Sequence, residues 1–149
     1  MMHWTNYFSS LAPTFVALIV AYIAFQQWQT NRTSLRERLF DRRLEIFEET
    51  HTFLSEVIHK GTISETSIFR FHAAIHKGEF LFESDVISYM NEIRIASVKL
   101  LEHETIAREA TNKEERQENI KRKYEKLGTL DEKIENIFDV FRPYLHFAR

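Results

Sequence analysis

The chain has 149 residues, with 20 Lys and Arg against 22 Asp and Glu, a formal net charge of −2, and no cysteine. Without cysteine there is no disulfide framework, no thiolate nucleophile and no thiolate metal site, and without a basic excess nonspecific nucleic-acid binding is disfavoured. Three glycines and two prolines among abundant Glu, Lys, Arg, Leu, Ile and Phe feed helices and leave sheets without turns, so the expected fold class is all-α.

The first predicted element is a membrane helix. LAPTFVALIVAYIAF, from Leu11 to Phe25, carries no charge, and taken from Tyr7 to Trp28 the run covers about 22 residues, roughly 33 Å, which spans a bilayer. Trp4 and Tyr7 at one end and Trp28 at the other stand where interfacial aromatic rings anchor a span. Pro13 falls in the first turns, where its missing N–H costs little. A cleaved secretory signal fits less well, because MMHWTNYFSS has no Lys or Arg and the run ends in FQQWQTNR rather than in small residues. A buried core helix would need apolar neighbours, and those beside it are polar.

Arg32, Arg36, Arg38, Arg42 and Arg43 outnumber Glu37 and Asp41 just beyond the span. This bias places the N-terminus outside and the C-terminal part in the cytoplasm, and the same arginines suit lipid head groups. Two parts are expected: residues 1–28 as tail and transmembrane helix, and 29–149 as a cytoplasmic antiparallel helical bundle.

From Leu35 to Ile58 apolar residues recur at helical spacing without Gly or Pro, so the membrane helix is expected to run on until Gly61, straight or with a kink near Asn31. Leu39, Ile46 and Phe53 are spaced by seven, too few for a sustained coiled coil and better read as a core-facing stripe. A second helix from about Ser64 to Lys77 groups Ile68, Phe69, Phe71 and Ile75 before Gly78. Phe80, Leu81 and Phe82 form a connector, and Ser84 followed by Asp85 reads as an N-cap with an acid in the first turn.

The third helix steps through Val86, Met90, Ile93, Ser97 and Leu100, and its pattern fades after Ala107. Arg108 to Lys126 is mostly charged and reads as a surface helix, with capping-box spacings at Thr111/Glu114 and Asn112/Glu115. Gly128 is expected to close it, Thr129 with Glu132 to open a last helix through Phe141, Pro143 to stop that helix, and Tyr144, Leu145 and Phe147 to dock on the bundle.

Constellations for chemistry are sparse. His72 and His76, four apart, share a helix face as zinc sites require, but HExxH is absent and a third ligand would have to come from elsewhere, Glu79 being one candidate. Glu102, His103 and Glu104 diverge by about 100° per residue and read as a solvated face. Asp41, Glu45 and Glu49 lie within helical reach of Arg42 and Arg43, giving either an ion-pair lattice or a seam for a partner. No serine sits in a nucleophile elbow and no glycine-rich loop cradles phosphate. The expectation is a non-enzymatic protein without cofactor.

The stretch Gln27-Trp28, Arg32, Leu35 and LFDRRLEIFE from Leu39 to Glu48, then Phe80-Leu81-Phe82 with Val86 and Tyr89, and finally Phe141-Arg142-Pro143-Tyr144-Leu145, resembles small uncharacterised bacterial single-pass membrane proteins with a post-membrane LFDRR-like element. The resemblance implies a bacterial inner-membrane location and supplies no activity. Thirteen phenylalanines are more than a small bundle hides, so the expected function is an interaction module at the cytoplasmic face, binding membrane lipid and a protein partner or a second copy, with no nucleic acid. The alternative is a membrane-perturbing effector of toxin or phage-defence type, whose spans cluster through Ala12, Ala17, Ala21 and Ala24.

Overall fold

The computed structural model describes residues 4–146, with the side chains of residues 4–14 and of Thr33 outside what is described. It holds four α-helices, α1 (Trp4–Lys60), α2 (Glu65–Gly78), α3 (Ser84–Glu109) and α4 (Lys113–Phe141), followed by a 3-10 turn (Arg142–Tyr144). No strand occurs among the described residues, as the all-α expectation requires. Two compact units divide between Arg38 and Leu39.

α1 runs from Trp4 to Lys60, and Gly61 ends it at a φ of +62°, where its amide donates to the Val57 carbonyl. Only glycine enters this left-handed region without strain from a Cβ. The expectation of a transmembrane segment is not met among the described residues, where no helix is long and apolar enough to cross a membrane. From Phe15 the apolar run already ends at Phe25, and Gln26, Gln27, Gln29, Thr30, Asn31 and Arg32 follow, so the described part is too short. The anchors Trp4 and Tyr7, and Ala12, lie outside the described side chains.

In the C-terminal unit the stripe on α1 begins at Ile46 and continues through Phe53, Leu54 and Val57, all buried, whereas Leu39 is exposed. Phe71, Ala74 and Ile75 of α2, Val86, Met90, Ile93 and Leu100 of α3, and Leu130, Ile137 and Phe141 of α4 complete the core. Each large side chain fully buried here contributes about 1.5–3 kcal/mol of transfer free energy. Ser64 caps α2, its hydroxyl oxygen accepting from the Ser67 amide at 3.1 Å. Asn112 caps α4, its side-chain oxygen accepting from the Glu114 amide at 3.0 Å, which leaves Thr111 outside the helix.

Two boundaries differ from expectation. Ser84 is the first helical residue of α3 rather than its cap, because Glu83 takes the extended cap position and its carbonyl accepts from Ile87. α4 runs through Gly128 without a break, and the Thr129 hydroxyl donates to the Glu125 carbonyl instead of capping a new helix. A glycine in a helix interior costs about 1 kcal/mol, less than burial of Leu130, Ile137 and Phe141 along one continuous stripe contributes.

Candidate functional site: an uncovered apolar helix and an acid-rimmed groove

In the N-terminal unit every described side chain from Phe15 to Arg32 is exposed. Phe15, Val16, Leu18, Ile19, Val20, Tyr22, Ile23, Phe25 and Trp28 are each 48% to 66% exposed. At 100° per residue these nine point to all sides, so the segment has no stripe with which to dock on a single face. Polar groups are satisfied locally: Gln26 Nε2 donates to the Tyr22 hydroxyl at 3.0 Å, and the Thr30 hydroxyl donates to the Gln26 carbonyl at 2.9 Å. The Arg32 guanidinium lies 4.7 Å from the Trp28 ring centre, a cation–π contact that ties the first basic residue to the last aromatic one.

The five arginines expected to act as one basic group play three different parts. Arg32, Arg36 and Arg38 pair with no carboxylate among the described residues. Arg42 binds Glu45 across one turn at 3.3 Å. Arg43 turns into the bundle, donating from Nε to the Leu81 carbonyl at 3.0 Å and from Nη1 to the Tyr144 carbonyl at 3.3 Å. Its guanidinium also lies 6.0 Å from the Phe82 ring centre and 5.7 Å from that of Tyr144. Arg43 therefore joins α1, the α2–α3 connector and the 3-10 turn, a role invisible while it is counted with its charged neighbours. Its register was the available signal, since Ile46, Phe47 and Thr50 follow it at three, four and seven residues on the face that packs inward.

Around this clamp lie the three short motifs that are distant in sequence. Phe141 meets Phe47 at 5.5 Å, Phe82 at 5.2 Å and Tyr89 at 6.3 Å, all edge-on, and Phe82 meets Tyr144 at 5.4 Å. The Tyr144 hydroxyl donates to Asp85 Oδ1 at 2.7 Å. That bond holds the Asp85 carboxyl below the usual carboxylate range and pushes the Tyr144 phenol up to about 12. Tyr89 donates its hydroxyl to the Lys133 carbonyl, and burial, with the Glu92 charge nearby, pushes its phenol well up.

Between α1 and α2 in the same unit lies a groove of about 250 Å³. Glu45, Glu48, Glu49 and Glu56 of α1 and Arg70 of α2 form its rim, and Phe53, Phe71 and Ala74 lie at its base. The two rings stack at 4.3 Å and 5°. Lys77 stands 3.4 Å from Glu49 and 4.0 Å from Glu45, while Lys60 donates to Glu56 and holds its carboxyl below the usual range, with Arg70 adding to the effect. A groove of this size can seat one or two apolar side chains. Lys77 and Lys60 pair with three of its four carboxylates, Glu45, Glu49 and Glu56.

His72 and His76 sit on one face of α2 with ring centres 4.5 Å apart, and His76 Nδ1 lies 3.5 Å from Glu79 Oε2. No group of three or more metal-ligating side chains gathers among the described residues. In the run Glu102, His103, Glu104 the first residue is exposed, as expected, while His103 and Glu104 are half-buried. Glu104 accepts from the Thr62 hydroxyl at 2.7 Å and lies 3.4 Å from Lys123, and His103 Nδ1 is 3.0 Å from the Asn119 side-chain oxygen. These contacts join the α3–α4 end of the bundle to the loop after α1 and converge on no common point where a substrate would react. No family model matches the chain, and no curated protein or solved structure does either.

Proposed function

We propose that the chain is a membrane-tethered, non-enzymatic helical module that presents its bundle at the cytoplasmic face to a protein partner or to a second copy. The observation that carries this reading is the uncovered apolar stretch from Phe15 to Trp28, which faces outward on every side of the helix. A lipid environment satisfies such a surface, whereas a single protein face would leave much of it in water. The uncharged residues from Tyr7 to Thr14 precede it in sequence and supply the remaining length of a span. On the bundle, Phe69 and Phe80 are 79% and 89% exposed, and they support a docking role.

The test is fractionation of cells making the full chain, with an alkaline wash of the membrane pellet, followed by light scattering and mass spectrometry in mild detergent. Retention in the washed pellet together with a defined oligomer or a stoichiometric companion is expected. Release into the soluble fraction would overturn the tether, and a monomer without a companion would overturn the interaction module.

A second reading is favoured by Ala17, Ala21 and Ala24, exposed small residues at helical spacing that let helices approach closely. In that reading clustered N-terminal helices disturb the bilayer. Overproduction would then arrest growth with loss of membrane potential, and normal growth would exclude it.

A further inference from the structure

We propose that Arg32, Arg36 and Arg38 form a collar that binds the phosphates of anionic phospholipids at the end of the apolar helix. This rests on the membrane reading above and adds to it the class of lipid recognised. Three observations on the N-terminal unit carry it.

The first is availability. Arg42 is engaged by Glu45 and Arg43 by backbone carbonyls, yet Arg32, Arg36 and Arg38 have no carboxylate partner among the described residues although Glu37 lies in their midst. The second is position. Arg32 to Arg38 span about 9 Å of helix at 1.5 Å per residue and begin one turn beyond Trp28. That matches the thickness of a head-group layer, about 5–8 Å on each side of the hydrocarbon, once the length of an arginine side chain is added.

The third is angular spread. Arg32 and Arg36 point to nearly the same side, while Arg38 is turned from Arg36 by about 200°. A protein groove would engage one side of the helix. Lipid head groups surround it, and the apolar residues from Phe15 to Phe25 are likewise exposed all round. The Trp28 ring under the Arg32 guanidinium at 4.7 Å holds that arginine at the level where the apolar surface ends. Guanidinium and phosphate are matched for bidentate hydrogen bonding, so the collar is suited to phosphodiester anions rather than to a diffuse negative potential alone.

The experiment is flotation of the full-length chain, diluted from mild detergent, with vesicles of phosphatidylcholine alone and of phosphatidylcholine containing one part in four of phosphatidylglycerol. The expected result is tighter binding to the anionic vesicles by on the order of 100-fold for the three arginines at low salt, shrinking as salt is raised. The triple variant Arg32→Gln, Arg36→Gln, Arg38→Gln loses this preference with unchanged helicity by circular dichroism, and Arg42→Gln keeps it. Equal binding to both vesicles, or a preference that survives in the triple variant, overturns the collar while leaving the tether intact. Binding to neither vesicle overturns the tether and the collar with it.

Discussion

Ser97 carries a buried hydroxyl oxygen with no hydrogen-bond partner among the described residues, and the helix around it contributes Ile93, Ala96 and Leu100 to the core. A buried polar group left unpaired costs about 1–3 kcal/mol, and alanine fills nearly the same space. Ser97→Ala should therefore leave the fold unchanged and raise stability by about 1 kcal/mol in urea unfolding; a loss of similar size would mean that the hydroxyl has a partner. The Tyr144–Asp85 bond makes a prediction in pH. Asp85 is lowered from 3.8 in the folded state, so its contribution is present above that value and is lost as pH falls through the lowered pKa. Tyr144 is raised from 10.0 to about 12, so its neutral form is favoured on folding and its contribution is lost as pH rises through about 12. Tyr144→Phe should flatten both limbs of the unfolding midpoint against pH and remove one tyrosine from the high-pH phenolate titration.

The helices offer two glycines with opposite expectations. At Gly128 an added Cβ meets nothing within 4 Å and the backbone is helical, so Gly128→Ala should stabilise α4 by about 1 kcal/mol. At Gly61 space is equally open but φ is +62°, so Gly61→Ala should cost about 1–2 kcal/mol through strain alone. Thermal unfolding of the two variants separates a conformational cause from a packing one, since neither position has a side-chain neighbour. The same pair shows how far the elements were legible in the sequence. Gly61 ends a helix as expected, because no apolar stripe crosses it. Gly128 does not, because Leu127 and Leu130 beside it continue the buried stripe and tertiary packing outweighs local propensity. Val86, Met90, Ile93 and Leu100 were legible as a face for the same reason of periodicity, whereas Glu83 as cap of α3 had no side-chain signal at all.

At the scale of the molecule, what periodicity could not show was which charges leave the surface. Arg43 sits one residue from Arg42 in sequence, and the two differ only in helix register, yet one is on the surface and the other clamps three segments. Arg43→Met keeps the apolar stem and removes both hydrogen bonds, so stability should fall by about 2–4 kcal/mol with the 3-10 turn becoming accessible to protease. Arg42→Met should change stability by less than about 1 kcal/mol, since an exposed i,i+3 pair contributes little. Equal losses in the two variants would show that the clamp has no special weight. The groove between α1 and α2 was likewise hidden, because Phe53 and Phe71 read as separate core residues until stacking brings them together.

The clamp also sets a timetable for synthesis. Arg43 and the Tyr144 carbonyl that it holds are separated by 101 residues, and α1 is the first helix of the bundle to be made. At roughly 5–20 residues per second, about 5–20 s pass between the two ends leaving the peptidyl-transferase centre. For the first part of that interval, until α3 and then α4 are made, Ile46, Phe53, Leu54 and Val57 lack the helices that complete their core. The core-facing side of α1 is thus the earliest made, and a nascent chain stalled before Ser84 carries it without the two helices that complete the core.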